Sequence, residues 1–190
     1  MGPHLSCVGV IAEEATRALH KHYDEAAWQR DKLYDHAYKA KNHPGKYASF
    51  MLDGMTKRST ALPRHQVKAK HWESKLGGEV PIYENALMGS HIENVGYFCD
   101  FHTTNLKDGA NFAVDVIHKD IARLQAHNLE KNLRNPPVLY LQLDNVTSNK
   151  SKLLFVYLSF LVLTGVFDKI KVGFLLVGHT HEYIDQFFSR

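Results

Sequence analysis

One stretch of the sequence decides the fold: Val138-Leu139-Tyr140-Leu141-Gln142-Leu143-Asp144-Asn145. It is a short apolar run that ends in a carboxylate, which is typical of a buried strand that presents a polar side chain at the edge of a sheet. The apolar residues 174–177 lead in the same way into Gly178-His179-Thr180-His181-Glu182-Tyr183-Ile184-Asp185, and residues 46–52 lead into Asp53-Gly54. The sequence therefore predicts three segments that bring carboxylates to strand ends or just beyond them.

Carboxylates that converge at one edge of a sheet repel each other unless a cation neutralises them. Hard divalent ions prefer oxygen ligands, so we predict a site for Mg²⁺ or Mn²⁺. Its ligands, and the catalytic residues, are predicted to be Asp53, Asp144 and either Glu182 or Asp185. The last two lie one helical turn apart, so that one can hold metal while the other orients a neighbour, and Asp185 is slightly favoured.

Each of these acids also has a simpler interpretation. Asp53 followed by glycine is typical of a turn, and Asp144 with Asn145 can cap the next helix. Glu182 and Asp185 can complement the dipole of a helix at its first turn. Their placement at matching ends of a sheet favours the joint functional interpretation, because acids on one rim otherwise destabilise each other.

The order of the predicted elements indicates an α/β domain with a mixed sheet and helices on its faces. Residues 1–44 are predicted to form a helical N-terminal extension, and residues 45–190 the core domain. The predicted elements are a helix or helical pair at 11–40, a strand ending at 53, two strands at 81–87 and 91–102 joined as a hairpin through 88–90, a helix at 111–128, a strand ending at 144, a helix at 149–164, a strand at 169–177 and a last helix from 182.

The composition, 190 residues with 44% hydrophobic side chains, favours one well-buried domain. The net charge is only +3, but basic residues concentrate between positions 56 and 75, where Glu73 is the single acid. This cluster is equally typical of a DNA-contacting surface and of a solvated loop, and Lys150 has the same two interpretations. The predicted nucleic-acid-binding residues are Lys57, Arg58, Arg64, Lys68, Lys70 and Lys150.

The two cysteines, Cys7 and Cys99, indicate neither a disulfide framework nor a cysteine zinc site. The N-terminus lacks the basic start and long apolar stretch of a signal peptide. The most apolar segment, residues 153–166, is too short to span a bilayer. We therefore expect an intracellular protein, nuclear or cytoplasmic, with no membrane partner.

The element order and the three acids resemble the ribonuclease H-like fold of nucleases, transposases and integrases, with its five-stranded mixed sheet. Glu182 lies 38 positions after Asp144, and Asp185 lies 41 after it, which is similar to the interval between the last two acids of integrase-type enzymes. The resemblance implies DNA strand cleavage and transfer by two-metal-ion chemistry, with Asp53 as the bridging ligand. It also implies DNA as the partner, a homo-oligomer as one assembly, and supporting roles beside the ligands for His179, His181 and Asn145.

Three stretches sharpen this resemblance: Asp53-Gly54-Met55, Leu143-Asp144-Asn145 with Asn149-Lys150, and the segment 178–190. They are similar to the signature stretches of a transposon-derived, integrase-like family of eukaryotic genomes, of the type with three catalytic acids. The match covers roughly residues 30–190. It implies that the core continues beyond Arg190 and that any module for recognition of DNA ends lies outside this sequence.

Two alternatives remain open at this stage. A domesticated, non-catalytic DNA-binding or assembly module would retain the same fold and the same acids. Gly178-His179-Thr180-His181 is also similar to the last metal motif of calcineurin-like phosphoesterases, whose nitrogen ligands favour manganese, iron or zinc. The other metal motifs of those enzymes are missing from the sequence, so this second alternative is the weaker one.

Overall fold

The computed structural model describes residues 4–55, 86–102 and 109–174 of the chain. These residues form three α-helices, five strands and one short 3₁₀ helix. The elements are, in chain order, α1 (His4–Asn42), β1 (Tyr47–Met55), β2 (Ala86–Ile92), β3 (Gly96–His102), α2 (Ala110–Glu130), β4 (Val138–Leu143), the 3₁₀ helix (Thr147–Lys150), α3 (Lys152–Leu163) and β5 (Lys169–Phe174).

The five strands form one mixed sheet in the order β3-β2-β1-β4-β5. Strand β2 runs antiparallel to both of its neighbours, β1 and β3, whereas β4 runs parallel to both β1 and β5. Helices flank this sheet, and a long helix precedes it. The predicted fold class, a ribonuclease H-like α/β domain with an N-terminal helix, is therefore confirmed.

The hydrophobic core lies between one face of the sheet and helices α2 and α3. Alternate residues of the central strands supply it, since successive side chains of a strand point to opposite faces. On β1 these are Phe50 and Leu52, and on β4 they are Leu139, Leu141 and Leu143, all no more than 2% exposed. The helices contribute mainly branched side chains: Val116, Ile117, Ile121 and Leu124 from α2, and Leu154, Leu158 and Leu161 from α3.

A buried ionic network fastens α2 to the antiparallel edge of the sheet. The Arg123 guanidinium of α2 donates two hydrogen bonds to Asp100 of β3, at 2.7 and 3.1 Å, and a third to Asp120 at 2.7 Å. Asp120 is fully buried and also accepts a hydrogen bond from Ser90 of β2. Burial raises the pKa of Asp120, although Arg123 and Ser90 oppose that shift. The guanidinium therefore neutralises acids that would otherwise be unfavourable in this interior.

Helix α1 is a single helix rather than a pair. Its buried residues, Ala26, Leu33 and Ala40, recur every seven positions and so form a narrow seam of mostly small side chains. Leu19 and Tyr23 of the same helix are more than half exposed. No helix in residues 4–55, 86–102 or 109–174 is long and apolar enough to cross a membrane.

The predicted hairpin between the second and third strands was placed wrongly. Gly89 and Ser90 lie inside β2, and the chain turns at residues 93–95 instead. Asn94 adopts a positive φ of 68° there, and its side-chain amide donates to the carbonyl of Ala40 at 3.0 Å. Asparagine tolerates this left-handed conformation, so the turn signal is Asn94 followed by Gly96 rather than Gly89.

The helix predicted from residue 149 begins three residues later. Ser151 is the N-cap of α3, and its hydroxyl accepts a hydrogen bond from the backbone N–H of Leu154 at 3.2 Å. Gly165, with a φ of 73°, follows the end of α3 as predicted. The residues Thr147–Lys150, between β4 and α3, form the separate 3₁₀ helix instead.

Candidate functional site

The structure places two of the predicted acids toward the carboxyl-terminal ends of the neighbouring strands β1 and β4. Strands β1 and β4 are parallel neighbours, and Leu52 of β1 pairs with Leu143 of β4. Asp53 and Asp144 are the next residues along the two chains, and both are partly buried. Neighbouring strands lie about 4.8 Å apart, so continuation of this register places Asp144, the first residue after β4, beside Asp53 of β1.

Strand alternation places both acids on the face of the sheet opposite the main core. Leu52 and Leu143 point into that core and are 2% and 1% exposed. The residue after each of them belongs to the other face, which is the face that α1 partly covers. On this face Tyr140 of β4 stacks on His36 of α1, with ring centroids 3.8 Å apart.

The loop after β4 is held by hydrogen bonds that centre on Asp144. Its Oδ1 accepts from the backbone N–H of Asn145 at 2.6 Å, and its backbone carbonyl accepts from the side-chain amide of Asn149 at 3.0 Å. Asn149 is 6% exposed, so this contact is inside the protein. The acid therefore sits on a loop whose path is fixed by its own neighbours.

Asn145 leaves a polar atom buried beside Asp144. Within the described part of the chain, its Oδ1 is buried and has no hydrogen-bond partner. An unsatisfied amide oxygen in the interior is unfavourable, and a cation or a water is the usual way to satisfy it. The carboxylates of Asp53 and Asp144 and this amide oxygen are all hard oxygen donors, a donor type that suits Mg²⁺ or Mn²⁺ better than a softer metal.

The remaining predicted ligands lie outside the described residues. These are Glu182 and Asp185, together with His179 and His181. Among residues 4–55, 86–102 and 109–174, no group of three or more histidine, cysteine or acidic side chains is placed to hold a metal ion. The described part of the chain thus contains two of the predicted acids, and the metal-binding role of all of them stays a prediction.

The predicted DNA-contacting residues divide in the same way. Lys57, Arg58, Arg64, Lys68 and Lys70 lie outside the described residues. Lys150 is exposed at the end of the 3₁₀ turn, six positions after Asp144, and its Nζ lies 5.4 Å from the ring centroid of Phe174. An ammonium group is therefore available beside the same edge of the sheet.

The sequence analysis missed two contributions to this region. Asn149 was assigned to the start of a helix, whereas its side chain clamps the backbone of Asp144. Helix α1 was predicted as an N-terminal extension, and the structure adds that its His36 stacks on Tyr140 of β4, the strand that leads to Asp144. The signal for α1 was the spacing of Trp28, Lys32 and His36, which puts these side chains on one helix face.

Comparison with known proteins gives one family and a set of solved structures. The chain is similar to the Mos1 strand transfer complex, with 11% identity and a TM-score of 0.41 over 85% of this chain and 45% of that one. It is also similar to a pre-cleavage Mos1 transpososome, with 7% identity and a TM-score of 0.42 over 87% of this chain and 49% of that one. The Mos1 transposase paired-end complex with the left transposon end has 11% identity and a TM-score of 0.39 over 82% and 42%. The chain thus spans less than half of each of these solved chains.

No curated protein sequence matches the chain significantly. A family model described as a domain of unknown function, DUF7869, matches residues 86–190. The matched region begins at β2 and includes Asp144 with the loop that Asn149 closes. Because it covers more than half of the sequence, the chain belongs to the DUF7869 family.

Proposed function

We propose that this protein cuts and joins DNA strands by metal-dependent phosphodiester chemistry of the transposase and integrase type. The observation that carries the proposal is the parallel register of β1 and β4, whose last pair, Leu52 and Leu143, directly precedes Asp53 and Asp144. Acids on neighbouring strands repel each other less when a cation neutralises them. The resemblance of the sequence to an integrase-like family points to the same two acids.

In this proposal each residue has a defined task. Asp53 and Asp144 hold Mg²⁺ or Mn²⁺ through their carboxylates, and Glu182 or Asp185 completes the set. A pair of such ions supplies activation of the attacking oxygen and stabilisation of the leaving oxygen in phosphodiester displacement. The hydrogen bonds from Asn145 and Asn149 keep Asp144 at the strand end, so the ligand is positioned before the ion arrives.

Positive side chains hold the DNA in this scheme. Lys150 contacts a phosphate near Asp144, and the basic residues of the segment 57–70, which are Lys57, Arg58, Arg64, Lys68 and Lys70, contact further phosphates of the backbone. Because each neutralised phosphate releases counterions, DNA affinity is expected to fall steeply as salt concentration rises. An affinity that stays constant between about 50 and 200 mM salt would remove this role from the basic residues.

Nicking of supercoiled plasmid in Mg²⁺ or Mn²⁺ tests the catalytic part of the proposal. Asp53→Asn and Asp144→Asn are each expected to lower the nicking rate at least about 100-fold, the scale seen when a group that stabilises transition-state charge is removed. Asp168→Asn is the matched control, since Asp168 is an exposed acid directly before β5 and so lies at the amino-terminal end of the parallel strands, away from Asp53 and Asp144. Equal nicking by all four proteins, or none by the wild type, would reject the enzymatic function and favour the non-catalytic DNA-binding module.

Binding of Mn²⁺, measured by calorimetry, is a second readout that does not depend on activity. Wild type and Asp168→Asn are expected to bind Mn²⁺ alike, whereas Asp53→Asn and Asp144→Asn bind it at least about 10-fold more weakly. The loss follows because each substitution replaces a charged oxygen ligand with a neutral amide. Unchanged binding in both variants would place the ion elsewhere.

A further inference from the structure

A groove with a volume of about 370 Å³ lies between α1 and the parallel edge of the sheet. Trp28, Lys32 and His36 line it from α1. Gln142 of β4 and Lys171 of β5 line it from the sheet. The volume falls in the range of pockets that take small ligands or parts of larger ones.

The groove opens on the same face of the sheet as the two acids. Tyr140, Gln142 and Asp144 are alternate residues, and Tyr140 is already stacked on His36 on this face. Two residues of strand span roughly 7 Å, so Gln142 lies about that far from Asp144 along β4. A chain-like ligand that extends from the groove along β4, from Gln142 toward Asp144, therefore passes beside the acids.

The charges of the groove favour an anion. Within the described residues, neither Lys32 nor Lys171 has an ion-pair partner. The ammonium groups instead lie over aromatic rings, Lys32 at 4.6 Å from the centroid of Trp28 and Lys171 at 5.3 Å from that of Tyr140. The nearby carboxylate of Asp35 is bound to Lys39. Two cations without acid partners therefore face the same space.

His36 reports on the same positive environment. Its pKa is lowered to about 4, first by burial and then by the positive charge of Lys171 and of Lys32, whereas Asp35 opposes the shift. The ring is therefore neutral at physiological pH. Among the described residues that line the groove, Lys32 and Lys171 supply the positive charge.

An exposed aromatic ring completes the arrangement. Trp28 is 61% exposed although it stands at the mouth of a groove, so a large apolar surface remains open to a ligand. Every nucleobase has a flat π-face that stacks on such a ring, and the phosphates on either side carry negative charge. Aromatic and cationic groups at this spacing fit a nucleotide chain better than an apolar helix or a peptide.

We propose that this groove binds single-stranded DNA beside Asp144, with one base stacked on Trp28 and flanking phosphates on Lys32 and Lys171. The amide of Gln142 at the groove floor offers a hydrogen-bond donor and an acceptor to the base edge. The inference rests on the proposed function, because it gives the acids a strand that is already separated from its complement. It adds a substrate class, single-stranded DNA, and the residues that select it.

Fluorescence anisotropy of a labelled oligothymidylate in the absence of divalent ions tests the proposal. Trp28→Ala is expected to weaken binding about 5- to 100-fold, the range for loss of one stacked base. The double variant Lys32→Met with Lys171→Met is expected to lower the slope of log affinity against log salt by about 1.4, since each phosphate contact on a single strand contributes about 0.7. Circular dichroism melting confirms that each variant keeps its fold.

Matched controls lie in α1 on the amino-terminal side of Trp28. Tyr23→Ala removes an exposed ring, and Lys21→Met removes an exposed ammonium, but neither residue lines the groove. Both are expected to bind the oligonucleotide within about two-fold of wild type. If the groove variants bind like wild type, or if the controls lose as much affinity as they do, the groove is not the site.

A third variant tests the groove floor without any change of charge. A Cβ atom at Gly173 would lie 2.5 Å from Oε1 of Gln142, which is the flexible end of that side chain. Gly173→Ala therefore pushes the Gln142 amide into the groove at little cost to the fold. Weaker binding of the oligonucleotide is expected, and unchanged binding would show that the base does not reach the floor as proposed.

The outcomes separate this inference from the proposed function. Asp144→Asn is expected to bind the oligonucleotide at least as tightly as wild type, because it removes a negative charge beside the strand, while it loses plasmid nicking. If the groove variants lose affinity but wild type never nicks, the groove stands and the cleavage function fails. If nicking depends on Asp144 but the oligonucleotide binds all groove variants equally, the groove fails alone. Competition by inorganic phosphate as strong as by the oligonucleotide would reduce the site to a phosphate site and overturn the role of Trp28.

Discussion

Removal of the Arg123 guanidinium tests whether the ionic network between α2 and the sheet stabilises the fold. In Arg123→Met, Asp100 and Asp120 lose three hydrogen bonds of 2.7 to 3.1 Å. Both acids are buried, at 7% and 0% exposure, so water does not replace the lost donor. A buried ion pair that loses one partner typically costs about 3–5 kcal/mol, because a buried charge is left uncompensated. Here that charge is mainly the one of Asp120, since Lys119 stays 3.5 Å from Asp100.

That cost is a large fraction of the stability of a domain, which is about 5–15 kcal/mol in total. It corresponds to a fall in melting temperature of roughly 6–20 °C for a chain of this length. The control is Lys119→Met, because the Lys119 ammonium also lies 3.5 Å from Asp100 but its side chain is 45% exposed. Surface ion pairs contribute at most about 1 kcal/mol, so this variant is expected to stay close to wild type.

Urea unfolding followed by circular dichroism measures both free energies of unfolding. In a background of Asp100→Asn, the Arg123→Met substitution is expected to cost at least about 1 kcal/mol less than in wild type, since the ion pair between Arg123 and Asp100 is already absent. Loss of less than about 1 kcal/mol in Arg123→Met alone would refute the argument. It would mean that the two acids become protonated or solvated without resistance from the fold.

Three further predictions concern local features. Ser151→Ala removes the N-cap of α3 and is expected to cost about 1 kcal/mol in urea unfolding, whereas Ser159→Ala on the exposed face of the same helix costs at most about 0.5 kcal/mol. Gly165→Ala forces a residue with a Cβ into a φ of 73° and is expected to cost about 1 kcal/mol by the same measurement. His36 has a pKa of about 4 in the folded state against 6.5 in the unfolded state, so the unfolded state binds the proton more tightly. The free energy of unfolding is therefore expected to fall by about 1–2 kcal/mol as the pH drops from 6.5 to 4. His36→Gln should abolish this part of the pH dependence, and an unchanged profile would contradict the assignment.

The central strands were predictable from the local sequence because burial of one face of a strand produces alternating apolar and more polar residues. Leu139, Leu141 and Leu143 alternate with Tyr140 and Gln142, and the structure places the first set in the core. The order of strands and helices then restricts the sheet to few arrangements, since parallel strands require helical crossovers. The mixed sheet could therefore be predicted from the sequence.

The turn between β2 and β3 could not be placed from pattern alone. Gly89 invites a turn, but its backbone pairs with Asp53 on one side and with Cys99 on the other. A central strand position of this kind is decided by contacts with residues distant in sequence. The local signal for the real turn was the residue type of Asn94, because asparagine tolerates the positive φ that this turn requires. Its hydrogen bond to the carbonyl of Ala40 in α1 is seen only in the structure.

The contribution of α1 was hidden for a different reason. A long helix with many charges and a weak apolar face is typical of an appendage, and most of α1 is exposed. Its role beside the sheet depends on one ring, His36, stacked on Tyr140, and on the groove that this contact leaves open. Such a contact needs the register of helix on sheet, which sequence spacing does not provide.

The meeting of Asp53 and Asp144 follows from counting rather than from any motif. Tyr47 pairs with Val138 at the start of the parallel ladder, and each acid comes six residues after its member of that pair. Equal counts bring the acids side by side, and an even count puts them on the face of Tyr47 and Tyr140, away from the core. A single inserted residue in β4 would turn the acid toward the core and one step away from its neighbour, which is unfavourable for a charge. Two unrelated stretches that keep the same count and the same parity are therefore stronger support for a shared site than either Asp-containing motif alone.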